Sequence, residues 1–124
     1  MLIDTGVRFE FERIRTVRVQ TAQQSREGSL KAIIAKMFVQ EGKGEEFEKV
    51  ALALAEQVRA NEPGNKLYTL GKTAEGQYYF LELYENDEAL AAHRQTEHMK
   101  AAGPGFANVL SGRPELTFLD IVES

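Results

Sequence analysis

The stretch Gln77-Tyr78-Tyr79-Phe80-Leu81-Glu82-Leu83-Tyr84 decides the fold. Aromatic residues are enriched in strands, and this run is dense in them. Alternation places Tyr78, Phe80, Glu82 and Tyr84 on one side and Tyr79, Leu81 and Leu83 on the other. The uncharged second set is the better match for a helix-packed core. The first set is then expected on the remaining face, aromatic with a carboxylate in its middle. Just upstream, Thr73-Ala74-Glu75-Gly76 reads as a hairpin turn, and Lys66–Lys72 as the strand that leads into it.

Further upstream, Leu30–Val39 is apolar on both parities except for Lys36, which predicts a strand covered on both faces. Between the strands, Phe47, Val50, Ala51, Leu54 and Val58 form one stripe at the helical period, so Gly44–Ala60 is expected to be a helix. Asn61-Glu62-Pro63-Gly64 stops it, because a residue before proline disfavours helical geometry. Downstream, Asn86 is the expected N-cap of a second helix with Asp87 and Glu88 in its first turn, running towards His98. Gly103-Pro104-Gly105 is expected to break or kink the segment after that helix, Asn108–Pro114 to be mostly loop, and Leu116–Val122 to be the last strand.

The order β-α-β-β-α-β is the ferredoxin-like α+β arrangement, one antiparallel sheet with two helices on one face. Its other face also reads as apolar, and a second copy of the chain is the economical cover, so a homodimer is expected. Residues 1–28 stand apart from this domain, which occupies 29–124. Val7, Phe9 and Phe11 alternate with charged residues there, and Thr21–Gly28 is polar. The extension is either an additional strand that covers an edge or partner, or a flexible tail.

Composition narrows the function. The chain has 124 residues, 43% hydrophobic and 27% charged, enough for a core and too apolar for a disordered chain. Fifteen Lys+Arg against 19 Asp+Glu give a net charge of −4, which argues against a nucleic-acid backbone as partner. No cysteine is present, so disulfides, thiolate metal sites and cysteine nucleophiles are excluded. No apolar run reaches the ~20 residues a membrane span needs, and no secretory signal is visible, so a cytoplasmic location is expected. Nucleotide, flavin and serine-triad motifs are missing.

Chemistry concentrates on a few side chains. Glu82 among aromatics would be desolvated and made a base near neutral pH; the plainer alternative is an ion pair at the sheet margin with Lys36 or an arginine. His93 and His98 lie about 140° apart on a regular helix and cannot hold one metal unless the helix breaks between them. Each is either a proton-transfer group at a pocket or a structural residue, His93 on the inner stripe and His98 at the helix end. Tyr68 is core or a hydroxyl facing the same cavity, and Lys36 an oxyanion partner or an edge residue.

Four pieces in order, Glu62-Pro63-Gly64-Asn65-Lys66-Leu67-Tyr68, Tyr79-Phe80-Leu81-Glu82-Leu83-Tyr84, Asp87-Glu88-Ala89-Leu90-Ala91-Ala92-His93 and Thr96-Glu97-His98, resemble the antibiotic biosynthesis monooxygenase (ABM) domain family. The likeness spans roughly residues 29–123. It implies a dimeric α/β barrel, with Glu82, His93 and His98 on the family's recurrent polar positions and Tyr68 on its recurrent aromatic. Haem-degrading members use a pocket tryptophan and this chain has none, which argues against haem turnover. The implied activity is cofactor-independent monooxygenation of a quinol or polycyclic phenol by O₂. Glu82 or His93 would be the base, with Tyr68, Tyr78, Phe80, Tyr84 and Lys36 around the substrate. The alternatives are an acid–base isomerase of a small carbonyl compound, phosphorylated or not, with Lys36 or Arg94 as anion contact, and a non-catalytic ligand-binding dimer.

Overall fold

Seven elements succeed one another along residues 29–123, the part of the chain that the computed structural model describes. They are β1 (Lys31–Met37), α1 (Gly44–Asn61), β2 (Asn65–Lys72), β3 (Tyr78–Tyr84), α2 (Asp87–Arg94), α3 (Glu97–Val109) and β4 (Glu115–Asp120). The sheet order is β2-β3-β1-β4, antiparallel at each pairing, which is the expected ferredoxin-like topology. The N-terminal extension read in the sequence lies outside the described residues. Among the described residues no helix is long and apolar enough to cross a membrane.

The hairpin forms as its turn residues require. Gly76 closes it at φ 98°, and Thr73 accepts the Gly76 N–H at 2.9 Å. β1 pairs Ile33 with Glu82 and Ala35 with Phe80, so these share a face. That face is the one the helices cover: Tyr78, Phe80, Glu82 and Tyr84 are buried, whereas Leu81 is 39% exposed. The expected assignment of the two faces of β3 is therefore inverted. Period-two alternation separates two apolar faces without saying which is covered. The covered one holds partners for the aromatic hydroxyls, Glu82 for Tyr84 and Glu48 for Tyr78.

Phe47, Ala51, Leu54 and Val58 of α1 are buried as their spacing requires, and Ala55 joins them. The second helix departs from expectation. It breaks at Gln95-Thr96, and α3 runs on through Gly103-Pro104-Gly105 to Val109. The reason for the break is a cap: Thr96 Oγ1 accepts the Met99 N–H at 3.3 Å and donates to the His93 carbonyl at 2.9 Å. The glycines beside Pro104 serve packing instead of termination. A Cβ on Gly105 would stand 3.2 Å from both Val50 methyls, so α3 rests directly on α1. On α2, Asn86 caps as expected, its Oδ1 accepting from Ala89 N at 2.8 Å.

β4 is exposed along its whole length. Its alternation still has meaning. Leu116 and Phe118 pair with Ala35 and Ile33 on the helix side, while Thr117 and Leu119 pair with Ile34 and Ala32 on the open side.

Gly64 sets the distance between α2 and the turn after α1, because a Cβ there would come within 2.6 Å of Ala89 Cβ. Gly64→Ala is expected to destabilise the fold by about 1–3 kcal/mol through overpacking, measured by urea denaturation. Stability within about 0.5 kcal/mol of wild type would show that α2 moves away freely.

Candidate active site

The site begins where α1 ends. Glu62 is the C-cap residue, extended at φ −120° and ψ 91° as the following Pro63 demands. That turn sends its side chain inward, and only 8% of it is exposed. Two histidines meet it. His93 Nδ1 lies 3.0 Å from each carboxylate oxygen, and His98 Nε2 lies 2.5 Å from Oε2. The break between α2 and α3 makes this convergence possible, since a continuous helix would point the rings apart. His98 accordingly stands in the first turn of α3, not at the end of α2. The Glu62 carboxylate opposite is its hydrogen-bond partner there. Among the described residues no group of three or more His, Asp or Glu is placed to hold a metal ion.

On the other side of His93 lies a cavity of about 340 Å³ between sheet and helices, within the usual ~300–1,000 Å³ of small-molecule sites. Its wall is mainly apolar, including Phe80, Met99 and Leu116, with Tyr68, Glu82, His93 and Arg94 as the groups able to bond a ligand. The His93 ring packs 5.5 Å from that of Tyr68 and 5.2 Å from that of Tyr84, measured between centroids. Tyr84 donates its hydroxyl to Glu82 Oε1 at 2.8 Å.

Burial pushes the Glu82 carboxyl up to about 7, against the opposing hydrogen bond from Tyr84; the Glu62 charge adds to the rise and Arg94 reduces it. Burial likewise raises the hydroxyls of Tyr68 and Tyr84 above the ordinary phenol range, helped by the Glu82 charge. The site thus combines two phenols that stay protonated with a carboxyl that exchanges its proton near neutrality.

Of the residues singled out in the sequence, Tyr68, Phe80, Glu82 and His93 line this cavity. Tyr84 lies behind Glu82 as its hydrogen-bond donor. His98 reaches the cluster through Glu62. Tyr78 lies elsewhere in the core, its ring 4.7 Å from Phe47 and its hydroxyl donating to Glu48. Lys36 belongs to the opposite face of the sheet, 5.5 Å over the Phe38 ring. Sequence reasoning did not name Glu62 as a site residue: it reads there as part of a helix stop and as the first residue of the first family piece. The signal was present: an acidic residue immediately before a proline, at the end of α1.

Comparison with protein families matches residues 32–104 to the model described as antibiotic biosynthesis monooxygenase. A crystal structure from Caulobacter crescentus CB15 that bears the same family name is 41% identical, with a TM-score of 0.72, over 82% of this chain and 99% of that one. The Mycobacterium tuberculosis protein Rv0793 shares the fold at 23% identity and a TM-score of 0.71, over 77% and 98% of the two chains. A protein of Nitrosomonas europaea does so at 22% identity and 0.71, over 77% and 92%. Comparison with curated proteins returns no match.

The raised Glu82 carboxyl makes a stability prediction. The folded state holds this proton more tightly than the unfolded chain, so its contribution is full below about 4.5 and is lost as pH rises through about 7. Wild type should therefore lose stability relative to Glu82→Gln across that window, by on the order of 2–3 kcal/mol. Parallel urea curves at about pH 5 and pH 8 measure it; a constant difference between the two proteins would show that Glu82 is charged throughout.

Proposed function

The chain belongs to the antibiotic biosynthesis monooxygenase family, and we propose that it is an acid–base enzyme that deprotonates a small hydroxylated aromatic, a quinol or polycyclic phenol, for reaction with O₂. The observation that carries this proposal is that Glu82 and His93 line the same mainly apolar cavity. A carboxyl that titrates near 7 beside an imidazole can accept a proton at one point of a reaction and return it at another. Removing a phenolic proton leaves an electron-rich anion. In the proposed reaction that anion is itself the reductant of O₂, so the substrate supplies the electrons. The apolar wall excludes water from the anion, and the Tyr68 and Phe80 rings, 5.0 Å apart, offer a surface for a flat substrate.

A second reading keeps the same pair and changes the substrate. Arg94 stands at the cavity wall with its guanidinium 5.3 Å over the Phe118 ring. That supports Arg94 as the anion contact for an isomerase of a small carbonyl acid or phosphate, whereas Lys36 is on the far face of the sheet.

The open face of the sheet supports the proposal that the working unit is a homodimer. Leu67, Leu81 and Leu119 are 45%, 39% and 41% exposed there, beside Ile34 and Leu83. A contiguous apolar face of this kind needs cover, and a self-complementary one is covered most simply by its own copy.

Oxygen consumption by metal-free protein against a panel of quinols and anthrone-like phenols tests the first reading. Uptake is expected with at least one of them, reduced at least about 100-fold in Glu82→Gln. Undiminished uptake in the variant would remove Glu82 from the mechanism. Substrate-dependent deuterium exchange without oxygen uptake would favour the isomerase, and tight binding with neither would leave a ligand-binding protein. For the assembly, Leu81→Lys should halve the mass seen in sedimentation velocity; an unchanged mass would move the interface elsewhere.

A further inference from the structure

Glu62 has no part in the chemistry proposed above, yet it is held more closely than any other charged group of the site. We propose that Glu62 is a positioning residue that fixes the tautomer of His93, so that Nε2 is the ring nitrogen that takes the substrate's proton. This rests on the acid–base reading of the same cavity and deepens it.

An ionised carboxylate has no proton to donate, so each ring nitrogen bonded to it carries one. His93 meets Glu62 through Nδ1, 3.0 Å from both oxygens. The proton of the neutral ring is therefore on Nδ1, and Nε2 keeps its lone pair. Among the described residues no hydrogen bond reaches that Nε2, and the ring lines the cavity with Tyr68 and Glu82. Free imidazole in histidine prefers the other tautomer in water, so the arrangement has to be imposed. The second histidine imposes it at one remove. His98 Nε2, 2.5 Å from Oε2, keeps the carboxylate from turning away. Side-chain exposures of 5% for His93, 8% for Glu62 and 12% for His98 place the three together away from solvent. Other charged or titratable groups around the His93 ring are Tyr68, Glu82, Tyr84 and Arg94; Glu97 neighbours His98 on α3.

The step balances simply. The substrate O–H bond breaks, its electron pair stays on oxygen, and an N–H bond forms at His93 Nε2. The imidazolium so formed is already hydrogen-bonded through Nδ1 to a carboxylate, which stabilises it as it appears. Glu82 takes no part in this transfer and is left to return a proton later in the reaction, to oxygen as it is reduced.

The chain contains two histidines, so tag-free protein labelled with ¹⁵N-histidine gives two imidazoles, assigned with a His98→Asn variant. At a pH where both rings are neutral, His93 is expected to show a protonated Nδ1 and a bare Nε2, and to change to the Nε2–H form in Glu62→Met. A protonated Nε2 on His93 in the wild type, or an unchanged tautomer in Glu62→Met, overturns the proposal. If that variant fails to fold, the wild-type spectrum alone decides. With any quinol that the wild type turns over, Glu62→Met should lower kcat at least about 100-fold with KM little changed, and a loss confined to KM counts against the proposal. The spectrum needs no substrate. Wild type that consumes no oxygen therefore defeats the oxygenase reading alone, and turnover by a wild type with Nε2–H on His93 defeats the positioning role alone.

Discussion

A carboxylate closed off from water needs donors, because an unpaired buried charge costs several kcal/mol. Glu62 obtains them from two helices that would be one helix without the cap at Thr96. This requirement ties together the end of α1, the last turn of α2 and the first turn of α3. Gly64 lets α2 come close enough, and Gly105 lets α3 lie directly on α1. The cavity is the space that remains between this three-way joint and the sheet.

Two carboxyl groups thus stand in one region under different terms. Glu62 is matched by two imidazoles. Glu82 is hydrogen-bonded by a single phenol hydroxyl on a mainly apolar wall, and the charge of Glu62 is one of the reasons its proton is held. Divergent surroundings for neighbouring carboxyls are the general means by which a protein obtains two roles from one residue type.

Much of the fold was legible in the sequence. The element order, the stripe of α1, the hairpin at Gly76 and the Asn86 cap all stem from local chemistry, and the topology stems from their order. The features that escaped did so for physical reasons. Both parities of β3 are rich in large apolar side chains, so alternation could not say which one meets the helices; Glu48 of α1, which accepts the Tyr78 hydroxyl, is a partner that only the helix-covered face offers. The Gly-Pro-Gly run has the composition of a terminator because proline lacks a donor, but the helix loses a single bond there and gains the Val50 contact. Thr96 is one cap among many candidate threonines. Glu82, His93 and Tyr68 stood out as polar or aromatic residues in apolar settings, whereas the inward turn of Glu62 depends on a backbone geometry that arises only once the helix has ended.

The alternation of β4 has a consequence for how this chain can diverge. Leu116 borders the cavity, and Leu119, three residues on, belongs to the open leucine face. One six-residue edge strand, paired with β1 on one side only, carries both surfaces. An insertion or a one-residue slip in β4 would exchange the two sets of side chains at once. Lineages that reshape the cavity from this side are therefore confined to point substitutions that keep the strand's phase.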